Sequence, residues 1–164
     1  MVQKILIFKI TFFLFLLISS SLLFANTITG KAKIIDGDTL HIGMNKIRLH
    51  GIDAPEIKQN CLYNNKEWQC GKESRLSLKQ LINNKIVVCE SDSVDKYKRF
   101  IAICFANKIN LNKMMIIQGW AIAYKYYSLD FVNEENIARS NKIGIWKGIF
   151  EEPYQFRSKK NKVY

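Results

Sequence analysis

Side chains that could act together on a phosphate group lie in two short stretches of the chain. Residues 35–39 (IDGDT) and residues 48–56 (RLHGIDAPE) each place carboxylates where a predicted strand ends. Calcium accepts carboxylate and carbonyl oxygens at irregular spacing, whereas zinc, copper or iron would favour His or Cys. Asp38, Asp53 and Glu56, with Asp36 beside them, are therefore candidates to surround one hard cation.

Two arginines extend what such a cluster can do. Arg48 precedes Asp53 in the same stretch, and Arg99 lies in a separate charged segment. A guanidinium group matches phosphate oxygens with paired hydrogen bonds. A cation, a carboxylate that can take a proton from water and two guanidinium groups form a minimal set for phosphodiester hydrolysis. Spacing alone leaves two other interpretations open: solvated charges in turns, or a calcium ion that only braces a loop.

Strands in the first half of the chain and helices after them are predicted to position these residues. Apolar and alternating patterns indicate strands at residues 28–35, 39–42, 46–52, 86–90 and 100–105. Helical spacing indicates helices at residues 71–84, 111–118 and 132–141, with Asn110 capping the second. Residues 57–69 are polar and are predicted to be a loop. The order predicts an α+β fold, for which a five-stranded OB-type barrel packed against helices fits best.

The N-terminal residues 1–25 are predicted to be a secretory signal. Lys4 and Lys9 precede an apolar and small stretch that ends at Ala25, where we place cleavage. The stretch approaches the roughly 20 residues of a membrane-spanning helix, so an uncleaved anchor is the alternative. A folded domain is predicted at residues 26–150 and a basic tail at residues 151–164. We expect export to the periplasm or medium, without stable membrane insertion after cleavage.

The chain is strongly basic. Its formal net charge is +11, and removal of the signal leaves 23 basic and 14 acidic residues, a net charge of +9. This excess attracts polyanions such as nucleic acid, acidic polysaccharide or an anionic membrane. A hydrophobic content of 48% with 12% aromatic residues excludes a disordered chain.

The four cysteines all follow the export signal. An even number in an oxidising compartment favours disulfides over free thiols, and wide spacing makes a zinc site a poor fit. Of the three possible pairings we expect Cys61–Cys70, which closes a short loop, and Cys89–Cys104. The second pair follows if residues 86–90 and 100–105 form a hairpin.

Three motifs in order, DGDT, R-L-x-G-I-D-A-P-E and D-K-Y-x-R, make the chain resemble the staphylococcal nuclease family. The resemblance runs from about residue 28 to residue 146. It implies a five-stranded OB barrel with three helices. It also implies calcium-dependent hydrolysis of DNA and RNA by water, which leaves 3′-phosphates. We expect a monomer.

The resemblance also implies a role for individual residues. Asp38, Asp53 and the backbone carbonyl of Ala54 match the calcium ligands. Glu56 matches the general base, or the group that orders the attacking water, and Arg48 and Arg99 match the phosphate-binding arginines. The positions that match substrate contacts are Lys96, Tyr97, Tyr124, Tyr126 and Tyr127.

Two departures from the family pattern stand out. Lys98 replaces a glycine that often precedes the second arginine, and a left-handed backbone there would cost lysine roughly 1 kcal/mol. The Cys61–Cys70 segment is an insertion just after Glu56.

Other conspicuous residues are expected to be structural. His41 and His50 are predicted to be strand residues without a catalytic role. Trp120 and Trp146 are predicted to be packing residues.

The main competing hypothesis is a non-catalytic OB-fold module that binds nucleic acid. A domain that has lost catalysis is expected to lack at least one of the five charged active-site residues. This chain retains all of them: Asp38, Arg48, Asp53, Glu56 and Arg99. An exported structural calcium protein would not need the paired arginines.

Overall fold

The first strand of the barrel pairs with both ends of one curled sheet. In the computed structural model, which describes residues 26–160, the predicted strand 28–35 is divided at Lys31 into β1 (Asn26–Gly30) and β2 (Ala32–Ile34). The break lets β1 pair with β8 (Val87–Val94) and β2 pair with β3 (Thr39–Ile42), both antiparallel. One bent segment therefore brings the two sheet edges together.

The complete sheet has the order β1-β8-β9-β4-β3-β2, with β10 added beside β9. Its remaining strands are β4 (Asn45–Leu49), β9 (Phe100–Ala106) and β10 (Ile109–Asn110). Strands β4 and β9 are parallel, and the other pairs are antiparallel. The predicted α+β, OB-type barrel is confirmed.

A core of aliphatic side chains fills the inside of the curled sheet. Leu40, Ile47, Leu49 and Val87 from the strands are all fully buried. The helices α1 (Cys70–Ile82), α2 (Leu111–Ile117) and α3 (Val132–Ser140) flank the sheet. Leu78 of α1 and the α2 side chains Leu111, Met115 and Ile116 close the same core.

The predicted helix boundaries have local causes. The Asn110 side chain accepts a hydrogen bond from the Lys113 amide at 2.9 Å, which is the predicted N-cap of α2. Asn83 and Asn84 both have positive φ, so α1 ends in a left-handed C-cap. A fourth helix, α4 (Pro153–Lys160), lies in the segment that was predicted only as a tail. The sequence therefore indicated three α-helices, whereas residues 26–160 contain four.

The segment predicted as the loop 57–69 contains a small hairpin, so that part of the prediction was wrong. Strands β6 (Cys61–Tyr63) and β7 (Lys66–Trp68) pair through the two-residue turn Asn64-Asn65, and both turn residues have positive φ. Asparagine tolerates the left-handed conformation that such tight hairpin turns require. The two strands have only three residues each and are flanked by polar residues, which concealed this pairing.

Two short strands form a separate pair that contains Asp53. Strand β5 (Ile52–Asp53) pairs antiparallel with β11 (Ile122–Ala123). A short 3₁₀ helix, Gly144–Lys147, precedes the segment that leads to α4.

Both expected disulfides are confirmed. The Cα atoms are 5.6 Å apart in Cys61–Cys70 and 4.1 Å apart in Cys89–Cys104. Cys89 and Cys104 face each other directly in the β8–β9 register. The predicted signal lies outside the described residues. Within residues 26–160, no helix has the length and apolar character needed to cross a membrane.

Candidate active site

Asp38 lies at the start of β3, where the IDGDT turn enters the barrel. Its Oδ2 accepts a hydrogen bond from the Ala54 amide at 2.7 Å, and its Oδ1 accepts one from the Thr39 hydroxyl at 3.0 Å. The Asp38 amide donates to Asp36 Oδ1 at 3.1 Å. These bonds join the two sequence stretches and fix the Asp38 carboxylate beside Ala54.

Arg48 connects the two predicted calcium carboxylates. Its Nη1 lies 3.0 Å from Asp38 Oδ2, and its Nη2 lies 2.9 Å from Asp53 Oδ1. Nη1 also donates to the Ile52 carbonyl at 2.8 Å. Arg48 is only 8% exposed and Asp53 is fully buried. A buried guanidinium with several fixed acceptors is held in one orientation, so Arg48 is pre-positioned on its strand.

Glu56 is positioned through its backbone. Its amide donates to Gln59 Oε1 at 3.2 Å, and its carbonyl accepts from the Gln59 amide at 2.7 Å. Gly71, at the start of α1, packs against the same carbonyl so closely that a Cβ there would lie 1.7 Å from it. Gln59 is fully buried, and its Nε2 donates to the Glu151 carbonyl at 2.6 Å. Gln59 and Gly71 were not singled out from the sequence.

A third guanidinium, which sequence reasoning missed, completes the cluster. Arg157 of α4 places Nη1 2.8 Å from Asp53 Oδ1 and 2.9 Å from Glu56 Oε1, and Nη2 3.2 Å from Asp53 Oδ2. Nothing in the local sequence marked this arginine, because its partners are more than 100 residues away in the chain. The only available signal was the basic tail itself.

The electrostatics of the cluster reflect many carboxylates in a small volume. Burial, together with the Asp38 carboxylate, raises the pKa of Asp36 to about 7. Burial also raises the pKa of Asp53, although the guanidinium groups of Arg157 and Arg48 oppose the shift. The pKa of Arg157 is raised because its hydrogen bonds to Asp53 and Glu56 outweigh its partial burial. The negative charge of these carboxylates is therefore stabilised largely by the guanidinium groups of Arg48 and Arg157.

The donor set fits a hard divalent cation. Asp38, Asp53 and Glu56 offer carboxylate oxygens. Ala54 directly follows Asp53 in the chain and offers a backbone carbonyl oxygen. These are calcium-type ligands, without His or Cys. In the part of the chain described, however, no three acidic, His or Cys side chains already surround one point. The oxygens of Asp53 and Glu56 face Arg157 instead.

Arg99 lies in its own loop between β8 and β9, and its side chain is paired locally. Its Nη2 and Nε lie 2.7 Å and 2.8 Å from Asp95 Oδ2. Partial burial would raise the pKa of Asp95, but the hydrogen bonds from Arg99 and Tyr97 hold that pKa below its usual value. Lys98 has a φ of +61°, so the left-handed backbone considered from the sequence is present. The structure does not bring Arg99 into hydrogen-bond contact with the acidic cluster within residues 26–160.

Exposed aromatic side chains lie on two loops of the predicted substrate-binding set. Tyr97 is 63% exposed and stacks under Lys96 Nζ at 5.2 Å and the Arg99 guanidinium at 5.4 Å. Tyr126 and Tyr127 are 83% and 66% exposed, and their rings meet edge to face. Such rings offer surfaces on which nucleobases can stack.

Tyr124 differs from its neighbours because it is half-buried and close to the acidic cluster. Burial, followed by the negative charge of Asp53, raises the pKa of its hydroxyl. Its ring meets Tyr127 edge to face at a centroid distance of 4.9 Å. Tyr124 therefore links the acidic cluster to the exposed tyrosines.

The remaining sequence candidates lie away from the acidic cluster. Trp120 packs against Trp68 and Trp146 packs against Phe150, as expected of packing residues. His50 Nε2 lies 3.9 Å from Asp130 Oδ2 at the surface. His41 is part of β3 and pairs with Lys33 of β2 and Lys46 of β4.

Comparison with known proteins identifies one matching family model and several relatives of this chain. A family model described as "Staphylococcal nuclease homologue" matches residues 46–148. The chain is 34% identical over 127 residues to the succinoglycan biosynthesis protein ExoI of Rhizobium meliloti, covering 75% of this chain and 66% of that protein. It is 36% identical over 121 residues to an "Uncharacterized endonuclease" of Haemophilus influenzae, covering 70% of this chain and 63% of that protein.

A further match is the micrococcal nuclease of Shigella flexneri. The chain is 29% identical to it over 143 residues, which covers 76% of this chain and 77% of that protein. The chain thus spans about two thirds of the length of the Rhizobium and Haemophilus relatives. The residues that the family model matches include Arg48 on β4 and Arg99 in the loop between β8 and β9.

Proposed function

Since the chain belongs to the staphylococcal nuclease homologue family, we propose that it is a calcium-dependent nuclease that hydrolyses DNA and RNA and leaves 3′-phosphate ends. The observation that carries the proposal is the buried link Asp38–Arg48–Asp53, which joins two separate motifs with Glu56 at its edge. A module that only binds nucleic acid needs positive charge on its surface. It does not need a buried guanidinium between two carboxylates, with a third carboxylate at the surface beside them. Such a cluster is costly, and catalysis gives it a use.

In this proposal Asp38, Asp53 and the Ala54 carbonyl hold calcium. Bound calcium supplies a positive charge that polarises a phosphate oxygen and a water molecule. Asp38 is kept ready for this by the Ala54 amide and the Thr39 hydroxyl, which fix both of its oxygens. The fully buried Asp53 is oriented by Arg48.

Glu56 takes the proton from the attacking water, or orders that water. Its side chain is partly exposed, so water can reach it, while its backbone is held by Gln59. Arg48 binds the phosphate and stabilises the charge that develops on its oxygens. Arg99 contributes the second guanidinium after it exchanges Asp95 for the substrate phosphate. That exchange is favoured by the partial exposure of Arg99 on a loop.

The substrate chain lies along the aromatic and basic residues beside the site. Lys96 and Tyr97 contact a terminal phosphate, and Tyr124, Tyr126 and Tyr127 lie beside base and sugar. Stacking on tyrosine does not depend on base identity, which fits broad specificity. The net charge of +9 after signal removal attracts the polyanion.

We also propose that the protein is exported, with cleavage after Ala25, and acts as a monomer. The two disulfides support an oxidising compartment. Fractionation of expressing cells tests this: the processed chain should appear in the periplasm or medium, and a chain of full length in the membrane fraction would contradict it.

The decisive comparison for catalysis uses Glu56→Gln and a matched control, Glu90→Gln. Glu90 is an exposed acid on β8, so its replacement makes the same charge change away from the site. Initial rates on single-stranded DNA and on RNA in calcium should fall by about a hundredfold in Glu56→Gln and stay normal in Glu90→Gln. End-group analysis should find 3′-phosphates. Nucleic acid that is bound but not cut by the wild type would favour the non-catalytic module.

A further inference from the structure

The C-terminal helix α4 delivers one positive charge to the acidic cluster. Of its residues, Arg157 makes the charged contacts with the barrel: its guanidinium spans Asp53 and Glu56 with three hydrogen bonds of 2.8–3.2 Å. The contacts engage both oxygens of Asp53 and one of Glu56. Arg157 is half-buried by this arrangement.

The two Asp53 oxygens belong to the proposed calcium site, and the Glu56 oxygen belongs to the proposed general base. Asp53 Oδ1 accepts from both Arg48 and Arg157, and Oδ2 accepts from Arg157, so both oxygens of this fully buried carboxylate are engaged by guanidinium groups. Arg48 contacts one oxygen of Asp53, whereas Arg157 contacts both and also reaches Glu56, so a cation that binds Asp53 from the Glu56 side has to displace Arg157 and not Arg48. Arg157 in this position and a cation on Asp53 therefore exclude one another.

The chain just before α4 is held by backbone hydrogen bonds to the β6–β7 hairpin and by Gln59, whereas the contacts of α4 with the barrel include the charged ones of Arg157. Ile149 and Leu62 exchange two backbone hydrogen bonds of 2.8 Å, and the Glu151 carbonyl accepts from the buried Gln59. Beyond this anchor, α4 is short and polar (PYQFRSKK), with Pro153 as its buried residue. A helix of eight residues is marginal without tertiary contacts. Residues 149–151 are therefore anchored by hydrogen bonds, and the helix that follows them is attached to the acidic cluster through Arg157.

We propose that α4 is an autoinhibitory latch, in which Arg157 occupies the cation position at Asp53 and pairs with the general base Glu56 until calcium displaces it. The proposal rests on the calcium site of the proposed function. Because the latched and loaded states exclude each other, the apparent calcium affinity is lowered by the fraction of molecules that are unlatched. With about one molecule in ten unlatched, the apparent Kd is about tenfold weaker than that of the open site.

The first test measures calcium binding by titration calorimetry on the mature, substrate-free chain. Arg157→Gln is compared with Lys159→Gln, which makes the same charge change on the same helix. Lys159 is 75% exposed and pairs with Glu151 rather than the cluster. Arg157→Gln should bind calcium at least about tenfold more tightly than wild type, whereas Lys159→Gln should match wild type. Equal affinities in wild type and Arg157→Gln, or equal gains in both variants, would overturn the latch.

The second test needs no variant and follows the helix directly. Amide hydrogen exchange of residues 153–160, measured by mass spectrometry on the wild type, should become faster when calcium is added. Strands β8 and β9 should not show this acceleration. Unchanged or slower exchange in α4 at saturating calcium would overturn the proposal even if Arg157→Gln failed to fold. Failure of the proposed function is distinguishable, because then neither protein would bind calcium at all.

Discussion

Replacing Gly71 with alanine adds one methyl group beside the backbone of Glu56. The new Cβ would lie 1.7 Å from the Glu56 carbonyl oxygen and 2.6 Å from its carbonyl carbon. An ordinary contact is about 3.5 Å, so the Glu56 backbone must move by roughly 1.5–2 Å or the helix must shift by as much. Either movement changes the position of the carboxylate relative to Asp53.

Two opposite effects on stability accompany this change, and their sizes decide the outcome. Alanine is the better helix former, which favours the variant by about 0.5–1 kcal/mol in α1. Overpacking against backbone costs about 1–3 kcal/mol. We therefore expect Gly71→Ala to lower the free energy of unfolding by about 1–2 kcal/mol. A displacement of about 1 Å at a catalytic group lowers kcat by on the order of a hundredfold.

The assay compares Gly71→Ala with Gly43→Ala at a temperature well below both unfolding midpoints. Gly43 has a φ of +58° and open space around it, so alanine there strains the backbone without touching the site. Both variants should lose stability in urea titrations, but only Gly71→Ala should lose cleavage rate. A stable Gly71→Ala protein with near-normal kcat would refute the positioning of Glu56 by α1.

Three further predictions concern stability. Lys98→Gly should raise the free energy of unfolding by roughly 1 kcal/mol, because glycine removes the cost of the +61° φ. If urea denaturation gives the variant and the wild type the same free energy of unfolding, the strain is absent. In chelator, wild type should lose about 1–2 kcal/mol between pH 4 and pH 8, because the raised pKa of Asp36, about 7, favours its protonated form in the native state. Asp36→Asn should show a smaller loss, with the remainder due to the raised pKa of Asp53, and an identical pH profile for both proteins would contradict the prediction. Replacing Cys89 and Cys104 together by alanine should cost about 2–4 kcal/mol by the same denaturation assay, and an unchanged midpoint would argue against a stabilising cross-link.

Much of the fold could be predicted because its signals are local. The IDGDT turn, the Asn110 cap and the Asn83-Asn84 stop each act within a few residues. The Cys89–Cys104 pairing followed from two strands with a short connection. The β6–β7 hairpin was missed because its strands have only three residues each, and it is held by a tight Asn-Asn turn and the adjacent disulfide.

The site residues also fall into two groups: those that the sequence motifs predicted and those that they did not. Asp38, Arg48, Asp53 and Glu56 lie in two recognisable motifs, and the structure brings them together. Arg157 could not be anticipated, since its placement depends on how the chain returns from the 3₁₀ helix across the β6–β7 hairpin. Gln59 and Gly71 act through backbone contacts with Glu56, and such contacts leave no pattern in the side-chain sequence.

The calcium dependence of cleavage tests the central claim most directly. The mature chain is mixed with a fluorescent single-stranded DNA oligonucleotide, and initial rates are measured across a calcium series and in excess chelator. We predict a rate that rises with calcium to saturation and is abolished in chelator. The same rate with and without chelator would contradict the assignment of Asp38 and Asp53 as ligands of a catalytic calcium.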